Sequence, residues 1–209
     1  MLKKVVVDIL MFICMILEFS RWYMQPIFHE IVWIILVILV VLHLRLNRVY
    51  FKSFLKWHYN VQRFIMAIIN FWFMVCFILT IVFWILSSQN LLTSLNVHSM
   101  TIIKLHKIFS YITLVLMWLH LGINIGWLIN KITTKIWKIP SYIIWILFIW
   151  YWIYAWLKLD IRKHITWVYW FSLIDGNIAI NIIRYIWIIV MITIITNYIY
   201  NLTRKLKTN

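Results

Sequence analysis

Four histidines with a shared spacing are the residues of this sequence best suited to chemistry. His29 and His43 stand fourteen residues apart in one apolar stretch, and His106 and His120 repeat that spacing in another. At about 100° per residue, fourteen residues bring a side chain back to within roughly 40° of its starting direction, so both members of a pair share one helix face. They lie roughly 21 Å apart along the axis, one towards each edge of a hydrocarbon core about 30 Å thick.

Two such helices packed face to face would stack two histidine pairs across a membrane. Imidazole on each side of a flat macrocycle is what six-coordinate haem iron needs for electron transfer. A single histidine in a membrane span is equally well explained as a hydrogen-bonded helix contact. The repeated spacing favours the ligand interpretation, and we expect His29, His43, His106 and His120 to bind the iron of two b-type haems.

The composition predicts an integral membrane protein. Hydrophobic residues make up 66% of the 209 residues, whereas a soluble domain is about half apolar. The formal net charge of +15 comes mostly from residues that flank apolar spans, which indicates membrane topology and anionic lipid rather than nucleic acid. We expect one domain, residues 1–209, with no separate soluble unit, so nucleotide, flavin or iron–sulfur chemistry would have to come from a partner.

Six apolar segments predict an all-α, polytopic membrane helix bundle. They cover residues of about 1–23, 27–47, 64–87, 103–129, 140–157 and 183–201. The first could be a cleaved signal peptide, but it lacks a small-x-small cleavage site and contains Asp8 and Glu18, so we expect an uncleaved helix. Pro26 suits the start of the second. Residues 165–182, broken by Asp175 and Gly176, suggest an interfacial or partly inserted segment.

The distribution of basic residues predicts the orientation of the bundle. Six spans place both termini on one side, and the positive-inside rule makes that side the cytoplasm. The exception is the loop after the fifth span, whose Lys158, Arg162 and Lys163 would lie outside. Spans two and four then run in the same direction. His29 and His106 are expected at the outer level, and His43 and His120 at the inner level.

Cations near the histidines predict partners for haem propionates. Lys104 and Lys107 flank His106, and Arg45 and Arg48 follow His43. Charge-assisted hydrogen bonds would join such residues to propionates, although ordinary positive flanking explains each of them as well. We also expect Glu30 and Asn47 to orient ligands.

Other polar residues give weaker signals. Asp175 could exchange protons with a quinol, but a turn with Gly176 explains it better. Surface positions are expected for the three remaining histidines, His58, His98 and His164.

The two histidine stretches, HEIVWIILVILVVLHLRLN and LHKIFSYITLVLMWLHLGIN, resemble the ligand helices of small bacterial di-haem cytochrome b proteins in the cytochrome b-561-like superfamily. The closing FSLIDGNIAINIIRYIWIIVMITIITNYI is similar to the last segment of that group. The resemblance implies a four-helix haem core with the same four histidines as axial ligands.

These observations predict a di-haem cytochrome that carries electrons across the membrane. A quinone at one face and a separate redox protein are the expected electron partners. We expect an electron-transfer subunit of an oxidoreductase more than a stand-alone enzyme. The alternatives are a transmembrane reductase for an external acceptor such as ferric iron, and a non-redox haem carrier.

Overall fold

The computed structural model describes residues 2–19, 25–49, 61–97, 99–124, 142–159 and 178–205. Within these residues there are six α-helices, a short 3-10 turn at Thr93–Leu95 and no β-strand, which confirms the predicted all-α class. In chain order the helices are α1 (Leu2–Phe19), α2 (Pro26–Leu46), α3 (Val61–Ser87), α4 (Met100–Asn124), α5 (Tyr142–Lys158) and α6 (Ile178–Lys205).

Four of these helices, α2, α3, α4 and α6, are long and apolar enough to cross a membrane. Their outward surfaces are apolar too, with Ile34, Ile38, Phe71 and Ile78 among the exposed side chains. Contiguous exposed apolar surface suits lipid rather than water. The protein is therefore a multi-pass membrane protein. Of the other two helices, α1 carries four charged residues and α5 has 17 residues.

Successive helices run in opposite directions. Helices α1 and α2 are antiparallel. Asp8 near the start of α1 contacts His43 near the end of α2, and Glu18 near the end of α1 contacts His29 near the start of α2. The most extensive backbone packing lies within the hairpins α1–α2 and α3–α4, and between α6 and both α4 and α5. The described helices therefore form an up-and-down bundle, in which α2 and α4 are parallel.

Aromatic side chains dominate the core between the helices. Trp33 of α2 stacks on Trp84 of α3 with ring centroids 6.1 Å apart, and Trp118 of α4 is fully buried. Met15 of α1 and Tyr185 of α6 belong to the same cluster. One continuous core therefore joins the helices that carry the histidines to those that do not.

The helix boundaries test two of the sequence expectations. Pro26 occupies the first turn of α2, as predicted. The last helix begins at Ile178, so residues 178–182 continue directly into the candidate membrane span Ala179–Leu202. Asn181 in this turn is buried and accepts a hydrogen bond of 2.8 Å from Arg184, which favours a helical start there. Residues 125–129 and 165–177 lie outside the described residues.

Candidate functional site

The structure brings His29 of α2 and His106 of α4 together. Both side chains are buried, and their ring centroids are 6.3 Å apart with an interplanar angle of 79°. A metal ion bound between two imidazole nitrogens holds the ring centres about 6 Å apart, because each metal–nitrogen bond is about 2 Å long. This outer pair is therefore spaced so that both rings could bind one ion.

A flat cofactor between two histidines also requires the backbones of the ligand helices to stand apart. Helices in direct contact have axes about 8–10 Å apart, which leaves no room for a macrocycle. Helices α2 and α4 are not among the extensively packed pairs of the described chain, and side chains occupy the space between them. Trp33 is one of these, with its ring 6.0 Å from that of His106. Two imidazoles at this spacing are suitable donors for a haem iron, and the side chains between the helices would have to make room for its macrocycle.

The other two histidines, His43 and His120, lie towards the opposite ends of α2 and α4, and both are half-buried. The ring of Phe73 packs on His120 with centroids 5.4 Å apart. Along the helices this pair lies roughly 21 Å from the outer pair. The four histidines thus form two levels, one near each end of the hairpins.

Carboxylates from α1 contact both histidines of α2. Glu18 Oε2 lies 2.6 Å from His29 Nδ1, and Asp8 Oδ1 lies 2.7 Å from His43 Nδ1. The first of these contacts is almost fully enclosed, whereas the Asp8 side chain is 51% exposed. A carboxylate accepts a hydrogen bond from the ring nitrogen that carries the proton.

Uncharged oxygens of α3 contact both histidines of α4. His106 Nδ1 lies 3.1 Å from the Thr80 carbonyl oxygen, and His120 Nδ1 lies 2.7 Å from Asn70 Oδ1. At His43, His106 and His120 these hydrogen bonds favour a proton on Nδ1 and a metal-binding lone pair on Nε2. At His29 the Glu18 oxygen lies close to Nδ1 as an ion-pair contact without hydrogen-bond geometry. Metal-ligating histidines in proteins almost always have such an acceptor on the other ring nitrogen.

An asparagine follows each inner histidine by one helical turn. Asn47 Nδ2 donates to the His43 carbonyl oxygen over 3.0 Å, and Asn124 Nδ2 donates to the His120 carbonyl oxygen over 2.7 Å. The Asn47 amide also lies 3.4 Å from both ring nitrogens of His43, in agreement with the orienting position predicted for it. The equivalent position of Asn124 was not foreseen.

Glu30 does not have the role that the sequence suggested. Its carboxylate accepts five hydrogen bonds of 2.7–3.1 Å from the segment that follows α3. The donors are Ser88 Oγ, the Asn90 side chain and three backbone N–H groups. Glu30 therefore anchors the α3–α4 connection to the start of α2, and it does not orient an imidazole through these bonds.

The predicted propionate partners occupy different environments. Lys104 and Lys107 are half-buried near His106, whereas Arg45 and Arg48 are exposed. Two residues correspond to about 200° of helical rotation, so Arg45 leaves α2 on the side away from His43. It lines a cavity of about 540 Å³ with Lys3 and apolar residues of α1 and α2. The assignment of these cations to propionates stays a prediction.

The sequence interpretation missed the oxygen partners of the histidines, Asp8, Glu18, Asn70 and the Thr80 carbonyl. A signal for two of them was present, because the chain has only five acidic residues and two of these fall in the apolar first helix. His58, His98, His164 and Asp175 lie outside the described residues. Within the described ranges, no three or more His, Cys, Asp or Glu side chains form a metal-binding group, and His29 and His106 form one histidine pair.

Comparison of the chain with protein-family models, with curated proteins and with solved structures gave no match.

Proposed function

We propose that the protein is a di-haem b-type cytochrome that carries electrons across a bacterial cytoplasmic membrane. His29 and His106 would hold the outer haem, and His43 and His120 the inner one. The proposal extends the multi-pass helical bundle to six crossings with both termini in the cytoplasm. Electrons would pass between a membrane quinone and a partner redox protein, so the chain acts as the electron-transfer subunit of an oxidoreductase.

The observation that supports this proposal most strongly is the common environment of the four histidines. Each Nδ1 faces an oxygen acceptor at 2.6–3.1 Å. A histidine that served only as a polar contact between helices would need no particular ring nitrogen to be satisfied. Four histidines with the same nitrogen engaged are typical of side chains prepared to bind a metal through Nε2.

The protein residues would fix the ligands and keep water away from them. Haem bound at these positions would supply one-electron redox chemistry, with a potential set by its ligands, their hydrogen bonds and the local charge. The acceptors on α1 and α3 hold the imidazole rings in place. Buried Trp33, Trp84 and Trp118 exclude water from the region between the levels. The charged ends of Lys104, Lys107 and Arg48 are the proposed propionate contacts, whereas Arg45 leaves α2 on the side away from His43.

The ligand assignment is tested by single histidine substitutions in the full chain, purified from cells that supply haem. Reduced-minus-oxidised spectra should show low-spin b-type haem in the unsubstituted protein. His29→Ala should remove the outer haem and His43→Ala the inner one, so each variant should retain about half of the signal. The matched control is His164→Ala, which replaces a histidine outside the proposed ligand set and should leave the signal unchanged.

Two results would contradict the assignment. One is full retention of both haems in His29→Ala and His43→Ala, which would mean that other residues are the ligands. The other is an equal loss in the His164→Ala control, which would mean that the signal reports general damage to the protein rather than loss of a ligand.

A further inference from the structure

The two hairpins differ in the charge that they present to their histidines. Glu18 and Asp8 of α1 place carboxylate oxygens 2.6 Å and 2.7 Å from the Nδ1 atoms of the α2 histidines. Thr80 and Asn70 of α3 place uncharged oxygens 3.1 Å and 2.7 Å from the Nδ1 atoms of the α4 histidines. Each level therefore combines one histidine beside a carboxylate with one beside a neutral acceptor.

The hairpins are otherwise built alike. Asp8 and Glu18 are ten residues apart on α1, and Asn70 and Thr80 are ten apart on α3. In both hairpins the earlier residue contacts the inner histidine and the later one the outer histidine. Neutral acceptors on α3 satisfy the same hydrogen bond, so holding the rings does not require charge. What the carboxylates on α1 add is a negative charge, which a neutral acceptor does not supply.

A carboxylate next to an imidazole acts on a bound metal in two ways. It makes the ring a stronger electron donor, and its negative charge attracts nearby positive charge, most strongly where water is excluded. Ferric haem carries one more positive charge than ferrous haem. Both effects favour the ferric state and so lower the reduction potential.

We infer that Glu18 and Asp8 are positioning residues that lower the reduction potentials of the outer and inner haems through His29 and His43. The inference rests on the proposed function, because it requires haem at both levels. The outer level should respond more strongly, since the Glu18 side chain is 3% exposed and that of Asp8 is 51% exposed. Water and salt screen the exposed charge.

Redox titration of the haem-loaded full chain tests the inference. Glu18→Gln should raise the outer potential, with about a tenfold shift of the reduction equilibrium, or about 59 mV for one electron. Asp8→Asn should raise the inner potential by less. His43→Ala leaves only the outer transition and His29→Ala only the inner one, which assigns each potential to its level. Haem content is measured for each variant.

Two further variants separate the ligand contact from general charge effects. Glu30→Gln is the matched control, because Glu30 adjoins His29 in sequence but accepts its hydrogen bonds from the α3–α4 connection. It should move the outer potential less than Glu18→Gln. Asn70→Asp should lower the inner potential, and combining it with Asp8→Asn should bring that potential back towards the original value.

The outcomes are distinguishable from failure of the proposed function. Absence of haem in the unsubstituted protein would refute the proposed function itself. Two haems per chain with unchanged potentials in Glu18→Gln and Asp8→Asn would overturn only the inference, as would an equal shift in Glu30→Gln. If Glu18→Gln does not fold, the inner potentials of Asp8→Asn and Asn70→Asp still test the inference.

Discussion

At the scale of single residues, the account depends on which oxygen faces which histidine. The four histidines could be chosen as candidate ligands from their spacing alone, because fourteen residues return a helix to nearly the same face. Their oxygen partners could not, since contact between α1 and α2 or between α3 and α4 depends on how each helix is rotated in the bundle. In the sequence, Asp8 and Glu18 indicate only that the first segment is unsuited to be a signal peptide.

Glu30 permits a prediction about stability. Replacing Glu30 with Ala leaves the donors of the α3–α4 connection without their acceptor. The expected loss is about 1–3 kcal/mol of unfolding free energy, as for a buried hydrogen-bonding group that loses its partner. Thermal unfolding of the purified protein in detergent would measure it, together with hydrogen exchange of residues 88–91.

Gln89→Ala is the control for that substitution. Gln89 is exposed and contributes its backbone N–H to Glu30, which the substitution retains. Its stability should therefore match that of the unsubstituted protein. If Glu30→Ala is equally stable, the carboxylate does not anchor the connection.

At the scale of helices, Gly122 sets the contact between α4 and α6. A Cβ atom at this position would lie 2.6 Å from Thr196 Cβ and 2.9 Å from the Thr193 carbonyl oxygen. The neighbouring Asn197 amide donates to the Gly122 carbonyl oxygen over 3.3 Å. In the sequence, Gly122 and Gly126 form a G-x-x-x-G step, which is typical of close helix packing. That spacing does not name the partner helix, since α6 follows far along the chain.

We predict that Gly122→Ala destabilises the bundle by about 1–3 kcal/mol, the usual cost of inserting an atom into a packed interface. Thermal unfolding would measure the change. Thr196→Gly removes the nearest obstructing atom, so the double variant should recover part of the stability. Equal stability of Gly122→Ala and the unsubstituted protein would mean that α4 and α6 do not approach so closely at this residue.

At the scale of the whole molecule, the helical class and the multi-pass character followed from composition, whereas the number of crossings did not. Charged side chains on α1 and the shortness of α5 separate these two helices from the four clear spans. Two of the charges on α1 are accounted for, because Asp8 and Glu18 face histidines of α2. A helix can carry such residues through a membrane when they are paired with another helix.

The six-crossing arrangement predicts which positions face which side of the membrane. In a chain with Cys14→Ser and Cys76→Ser, a cysteine introduced at exposed Gln89 should react with an impermeant thiol reagent added to intact cells. A cysteine introduced at Lys4 should react only after the cells are opened. Reaction of both in intact cells, or the reverse order, would contradict the proposed orientation.

The most direct test of the central claim is the number of haems bound per chain. A pyridine haemochrome measurement on the purified full chain, divided by its protein concentration, should give two b-type haems if the two proposed histidine pairs are ligands. One haem would mean that only one level is a haem site. No haem, from cells that supply it, would contradict the claim and leave the four histidines as polar contacts between membrane helices.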